Sequence, residues 1–513
     1  MDHTQNVLSV APVPAAGVDG DNRILEIWED LIAGFAREKI VWCYWKSSRR
    51  AAAALAGLSD LDILVAPASQ NAARCALLAL GFRQYAAVAH RADPSVECYL
   101  AYDEPSGLIV HLDLHCRLVV GGALLKTHRL PWEDALLSRA APRYDLPLPV
   151  LDPASEAVLL MVRACFEMRR SDPVAARAWA ATTSKFALDR ARIAGLVDRD
   201  QVHQRATALL GPDLADVVTE AVFDPSPLED RHALRRRIRR GMAKYRVYNA
   251  VEAVVRTSGR AVFCAMGTLN KRLLHWPRPW SRRAPGGGVV VAILGVDGSG
   301  KSTLVRGLRT WLGQETDVLP LYFGTGDGRP SWFLLPLKLL VPLASLLLRS
   351  KPRGSSHGTV TSAAPGLAYS LLLALWATVL AVEKRMKLRA ANRAAARGMI
   401  VITDRYPQDE ILDFNDGPLL PRLKHVPTWL REFEASAYAL ARELPPDLVI
   451  KLVASPELIA SREPSMDPGV IHARTWAVQR LTFAGAAIAA IPASQPAADV
   501  LKAAKSEIWR TLS

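Results

Sequence analysis

Cysteine is scarce in this chain, with six in 513 residues, and none of Cys43, Cys75, Cys98, Cys116, Cys165 and Cys264 falls in a CxxC pair. That spacing argues against a structural zinc site and against a disulfide framework, and it leads us to expect a reducing compartment. Acidic residues are outnumbered: Asp plus Glu total 50 against 64 Lys plus Arg, a net charge of +14. Such a balance favours anionic partners: nucleotides, nucleic acid or an anionic membrane surface. Nucleic acid ranks last, because no recognition motif is present and aromatics are not interleaved with the basic run at 231–246. An unbroken apolar run long enough to span a bilayer is also missing. The stretch 331–348 contains Lys338, Pro336 and Pro342, and the stretch 367–382 is short and runs into EKRMKLRAANR. Both read as buried or interfacial helices whose basic flanks permit surface binding. The opening residues lack a basic region followed by an apolar core, so no secretory signal is expected. With 50% hydrophobic and 22% charged residues, disorder is excluded for most of the chain.

At roughly 150 residues per domain, the length predicts two to four domains. The segment WPRPWSRRAPGGG, 276–288, has the Pro, Gly and Arg content of a linker. Residues 1–22 read as a flexible N-terminus, 23–150 as an α/β domain, 151–275 as a helical annex and 289–513 as a second α/β domain. In the first α/β domain, VWCYW (41–45), DLDILVA (60–66), FRQYAAVA, VECYLAY and GLIVHLDLH are strand candidates. A long helical pattern over roughly 229–274 opens on RHALRRRIRRGMAKYR. It reads either as a solvated helix or as an anion- or membrane-binding one. After residue 287, apolar strands alternate with helices: GGVVVAIL (287–294), DVLPLYF, MIVITD (399–404), DLVIKLVA (447–454) and AAIAAIPA (487–494). Apolar strands in that alternation predict a parallel five-stranded sheet covered by helices on both faces.

Between the first of these strands and its helix lies Gly295-Val-Asp297-Gly298-Ser299-Gly300-Lys301-Ser302, then Thr303. This is GxxxxGK[ST] in the strand–loop–helix context that a P-loop requires. Its glycines let backbone N–H groups curl around phosphate oxygens, and the helix directs its positive end at the anion. Lys301 would reach the β and γ phosphates of ATP, and the Ser302 hydroxyl would ligate Mg²⁺. Gly295, Gly298, Ser299, Gly300, Lys301, Ser302 and Thr303 are therefore the expected ATP-binding residues. The third strand ends in Asp404-Arg405-Tyr406-Pro407. An acid there can orient Mg²⁺ or its water, and an arginine beside it can hold an acceptor phosphate through two hydrogen bonds.

On GVDGSGKST, the strand ending in DRYP, PDLVIKLVASPELIASR and the terminal strand and helix, residues 287–513 resemble the thymidylate kinase-like branch of P-loop nucleotide kinases. The resemblance implies that Asp297 lies near the acceptor and that Arg405 holds its phosphate. It also implies a lid, here REPSMDPGVIHARTWAVQR, with Arg462 as the first candidate to meet developing charge and Arg474 and Arg480 behind it. The chain departs from that family in two places. It has FGTGDGRPS where an Arg-Glu-Pro-Gly-Gly stretch is expected, and PQDEILDFNDGP where an Ala-Tyr-Gln segment reads the base. The acceptor is left open.

In the N-terminal domain, Asp60-Leu61-Asp62 places two carboxylates on one face of a strand, and His111-Leu112-Asp113-Leu114-His115 aligns three polar side chains on one face of a later strand. Two acids and a third, Asp113, can bind Mg²⁺ for nucleotidyl transfer. WCYWKSSRRAAAALAGLSDLDILV and IVHLDLHCRLVVGG resemble the uncharacterised nucleotidyltransferase-like family, which has a polymerase-β-like fold and often accompanies surface-polysaccharide functions. Where active members have Gly-Ser, this chain has Lys46-Ser47-Ser48. The expected function is an Mg²⁺- and ATP-dependent kinase, with Lys301, Asp404, Arg405 and Arg462 catalytic, fused to a nucleotidyltransferase-like domain. The alternative is an ATP-dependent regulatory or scaffolding protein at a membrane-associated polysaccharide assembly. A cytoplasmic location is expected. Peripheral contact with the inner membrane and a homodimer are left open.

Overall fold

Among the described residues, strands run in chain order as β1 (Trp42–Tyr44), β2 (Leu61–Val65), β3 (Arg83–Ala87), β4 (Val96–Asp103), β5 (Leu108–His115), β6 (Leu118–Gly121), β7 (Lys126–Leu130), β8 (Ala141–Arg143), β9 (Leu146–Val150), β10 (Arg282–Arg283), β11 (Val290–Gly295), β12 (Val318–Tyr322), β13 (Ile400–Asp404), β14 (Leu448–Val453) and β15 (Ala487–Pro492). This computed structural model describes residues 23–143, 146–167, 185–223, 228–324, 367–411, 414, 417–422 and 426–512. The apolar stretch 331–348 lies outside them. The architecture is mixed α/β and divides into two units. One takes Met1–Leu80, Trp132–Cys165 and Arg170–Gly241, and the other takes Gly81–Pro131, Phe166–Arg169 and Met242–Ser513.

In the first unit, β1 pairs antiparallel with β2 and parallel with β9, and β8 pairs antiparallel with β9. Every residue of β1 and β2 is buried, as expected of strands covered on both faces. The helix Glu26–Arg37 buries Trp28, Leu31 and Phe35, one stripe at helical spacing. Beyond the strands this unit is helical: Pro153–Glu167, Lys185–Ala194, Arg199–Leu210, Pro212–Phe223 and Leu228–Gly241.

In the second unit, β11 is the central strand of a fully parallel five-stranded sheet of order β12-β13-β11-β14-β15. All six residues of β11 are buried. Burying each Val, Ile or Leu there contributes about 1.5–3 kcal/mol before ordering costs. The helix Lys301–Glu315 covers the sheet with Leu304, Leu308 and Leu312, and Ala497–Thr511 does so with Val500, Ala504 and Ile508. Both sets recur at four-residue steps and form one apolar stripe. A second group of strands runs antiparallel, β10 to β3, β3 to β4 and β4 to β5. Segment 276–288 contributes β10 to it, with Trp280 buried and the Trp280 and Ser281 amides donating to Asp317 (2.7 and 2.6 Å).

The helical pattern expected over 229–274 is not one helix. It stops at Gly241, passes through a short 3₁₀ turn, Met242–Tyr245, and restarts as Ala250–Leu269. The restart has a local cause. Asn249 accepts a hydrogen bond from the Glu252 amide (2.8 Å), which caps the new helix. The apolar stretch 367–382 opens the helix Leu367–Ala396, which buries Ala377, Ala381, Leu388 and Ala391. Lys384 donates to Tyr438 Oη (2.7 Å) on the helix Thr428–Glu443. Among the described residues, no helix is long and apolar enough to cross a membrane.

Candidate functional site

Where the parallel strands end, β11 runs into the glycine-rich loop at Gly295, and Lys301 begins the next helix. The loop turns through two left-handed glycines, Gly298 (φ 83°) and Gly300 (φ 94°). Such φ values are costly for residues with a Cβ. A Cβ on Gly298 would stand 2.8 Å from Glu463 Cγ. At Gly295 a Cβ would overlap Ser299 Oγ. The Thr303 and Leu304 amides bond back to Gly300 O (3.1 and 3.0 Å). Ser302 and Thr303 are exposed at the start of the helix.

Strand register decides what joins this loop. Asp404, the last residue of β13, pairs with Ile293, two residues before the loop opens. Arg405 follows with φ 60°, a left-handed conformation that is rare for a side-chain-bearing residue and typical of strained sites. A Cβ on Gly324 would lie 3.0 Å from Arg405 Cδ, so the glycine after β12 leaves room for that arginine.

Asp297 is the focus of the loop. Its carboxylate meets Arg405 Nη2 (2.9 Å), Arg474 Nη1 (3.2 Å) and Lys301 Nζ (3.4 Å). Lys301 is buried and also donates to Val296 O (2.8 Å). Burial alone would raise the Asp297 carboxyl, but Lys301, Arg405 and Arg474 together outweigh it and hold it below the ordinary range. Burial pulls Lys301 down, with Arg405 adding to the effect and Asp297 opposing it. Asp404 goes the other way: burial pushes its carboxyl up against the pull of Lys301 and Arg405. Its Oδ1 is buried with no hydrogen-bond partner, as are Ser299 Oγ and Thr403 Oγ1. The Ser299 and Asp404 oxygens, one in the loop and one at the strand end beside it, suit a site that takes a polar ligand.

The structure thus brings Asp297, Lys301, Asp404 and Arg405 together. Of the three arginines expected in a lid, Arg474, on the helix Pro468–Arg480, is the one that reaches Asp297. Arg462 donates to Gly298 O (3.2 Å) and Ala493 O (3.3 Å), and so lies along the loop's backbone. Arg480 stacks on Trp476 (4.8 Å).

Glu410 was not singled out from the sequence. It accepts from Thr482 N (2.8 Å), Thr482 Oγ1 (3.0 Å) and Phe483 N (2.7 Å), tying the segment after β13 to the end of the Arg474 helix. No sequence motif marks it, because its partners lie more than 70 residues away. Glu410→Ala should raise amide exchange at Thr482 and Phe483 by about tenfold, the loss of about one hydrogen bond to a charged group at each amide. Unchanged protection there would show that Glu410 holds nothing in place.

The N-terminal acids fall in different units. Asp60 is exposed just before β2, while Asp62 is buried within it and pairs with Lys46 (2.5 Å). Ser48 spends both donors on Glu156: its N–H reaches Oε1 (2.8 Å) and its Oγ reaches Oε2 (2.7 Å). Arg192 and Arg143 donate to the same Ser48 Oγ (2.5 and 3.3 Å). Burial pushes the Glu156 carboxyl up, while Ser48, Arg143 and Arg192 pull it back. In the second unit, Asp113 Oδ1 lies 2.9 Å from His111 Nε2, Cys98 Sγ lies 3.3 Å from it, and Glu315 lies 3.3 Å from His111 Nδ1. Arg282 reaches both Glu315 (2.9 Å) and His111 (3.2 Å). Arg282 thus balances Glu315, while Cys98, His111 and Asp113 present ligand atoms within 4.8 Å of one another.

No family model matches the chain. Among curated proteins it is 31% identical over 228 residues to the uncharacterised ATP-binding protein YghS of Escherichia coli strain K12, a match covering 44% of this chain and 94% of the relative. The chain belongs to the YghS family. The uncharacterised ATP-binding protein YghR of the same strain matches at 27% over 229 residues, covering 43% of this chain and 86% of YghR. YghR of Escherichia coli O6:H1 matches to the same extent. Both relatives are described as ATP-binding, and the matches span less than half of the present chain.

Proposed function

We propose that the second unit binds ATP with Mg²⁺ through a P-loop at residues 295–303 and transfers the γ-phosphoryl group to an acceptor. The observation that carries this reading is the convergence of Lys301, Arg405 and Arg474 on Asp297 at the mouth of the glycine-rich loop. Three cations around one carboxylate, at the carboxyl ends of parallel strands, form a ready pocket for phosphate oxygens. The description of YghS and YghR as ATP-binding supports the nucleotide.

Phosphoryl transfer asks a protein mainly to position reactants and neutralise charge. Lys301 would exchange its contacts with Val296 O and Asp297 for donor phosphate oxygens. Ser302 and Asp404 would hold Mg²⁺ or its water, which suits the unpartnered Asp404 Oδ1. The cation would draw charge from the phosphates. Arg405 would grip the acceptor. Arg474 and Arg462 would face the transferring group from the lid, and Asp297 would orient the acceptor. The N-terminal domain stays outside this mechanism, since Lys46 already pairs with Asp62 and Ser48 is committed to Glu156.

The test is ADP formation by the full chain with MgATP, alone and with a panel of dTMP, other nucleoside monophosphates and sugar phosphates. We expect acceptor-dependent turnover. Arg405→Ala should raise the acceptor KM at least about tenfold while leaving the ATP KM within about twofold, as loss of a bidentate phosphate contact would. ATP binding with no acceptor dependence would overturn the kinase and select the ATP-dependent switch.

A further inference from the structure

We infer that the helix Ala250–Leu269, with its continuation to Leu274, docks on an anionic lipid surface. This is not the surface that the apolar stretches at 331–382 suggest. The helix has two opposite faces, and the structure explains only one.

Its inner face is fixed within the second unit. Arg260 donates to Leu124 O (2.8 Å) and Ala92 O (2.7 Å). Phe263 packs on His90 and Trp280, with ring centroids 4.6 and 4.8 Å apart. Gly267 lets the helix approach closely, since a Cβ there would stand 3.0 Å from Trp280 Cβ. These residues follow one another at three- and four-residue steps, so they define one side of the helix.

On the opposite side, Val251, Val254, Val255 and Val262 are 64–75% exposed, Leu269 is 40% exposed and Leu273 is 67% exposed. On that side the exposed residues between Val251 and Leu269 are completed by the small Ser258 and Ala265. From Val251 to Leu269 no charged residue stands on this side, and the first cations, Lys271 and Arg272, come at its end, before Leu273. A soluble helix normally places polar residues there.

Charge selects the occupant. From Ala243 to Arg278 the chain carries seven cations and one acid, Glu252, which pairs with Arg256 (2.9 Å). Lys244, Arg246 and Arg272 are exposed, and Tyr245, Tyr248 and Trp276 flank the two ends of the stripe. An apolar stripe rimmed by Lys, Arg and aromatics is the composition of a helix lying in a membrane interface. A second copy of the chain would set this cationic rim against itself. Anionic headgroups complement it.

The experiment is co-sedimentation of the full chain with vesicles of phosphatidylcholine alone and with about one third phosphatidylglycerol. Binding should require the anionic lipid and weaken in high salt. Val255→Glu with Val262→Glu should lower the bound fraction at least about fivefold, because a charge on the lipid-facing side opposes insertion. The pair Val255→Ser with Val262→Ser should lower it in the same direction, which separates lost apolar area from added repulsion. Thermal melting of both variants should match the parent, since these positions face outward. Three results would each overturn the inference: no binding by the parent, binding equal in parent and variants, or a self-association of the parent that the variants abolish without any vesicle binding.

Discussion

Lys301→Ala should cut acceptor-dependent ADP formation at least about a hundredfold, the usual scale for removing one preorganised charge from a transferring group. The ammonium is buried, and burial lowers its pKa while a nearby anion opposes that shift. Asp297 serves as that anion in the structure. A nucleotide's phosphates would take its place and gain more than a surface lysine could offer, because the ammonium is buried. In Lys301→Ala, Asp297 keeps Arg405 and Arg474, so the loop has no cause to unfold. The measurement is ATP affinity by calorimetry together with turnover. Wild-type affinity and turnover in a folded Lys301→Ala protein would remove the P-loop reading.

Asp404→Asn should have opposite effects on stability and function. Burial leaves the Asp404 Oδ1 without a partner and raises its pKa, so the folded protein binds this proton more tightly than the unfolded chain. The sign follows from linkage. The group's contribution to stability declines as pH rises from the unfolded carboxylate value through the raised folded value, and above that it is a constant cost. Asp297 works in reverse. Its depressed pKa contributes stability that is present above the unfolded value and lost as pH falls through the folded one. Neutral asparagine removes the Asp404 cost, and the nucleotide-free protein should melt at a higher temperature than the parent at neutral pH. Mg²⁺-dependent turnover should fall about a hundredfold, since the proposed cation partner is gone. A variant that melts lower, or that keeps full turnover, would show that Asp404 is a structural residue. Destabilising groups retained where a ligand binds are a familiar trade.

Much of the second unit was legible from local pattern. Five apolar runs separated by helical segments led directly to five parallel strands, because a strand buried on both faces can be built from little else. GVDGSGKS marked its own turn, since Gly298 and Gly300 occupy φ values that exclude most other residues. The break at residues 242–249 was missed because apolar spacing continues across it. The one local signal was the start of the second helix, the capping pair Asn249 and Glu252, inside an otherwise helical composition. Segment 276–288 has a linker's composition, yet it pairs with β3 and anchors on Asp317, and contacts of that kind leave no local trace.

The amino-acid sequence by itself determined the α/β class, the glycine-rich loop, and the acid and arginine that end the third parallel strand. Each depends on backbone conformation or periodicity over a few residues. Tertiary structure alone decided that Arg474 reaches Asp297 while Arg462 follows the loop backbone, that Glu410 holds the far end of the Arg474 helix, that Asp62 and Ser48 have local partners, and that a row of valines faces outward. These are meetings between residues tens to hundreds of positions apart. Strand register and helix packing bring them together, and no local pattern encodes that.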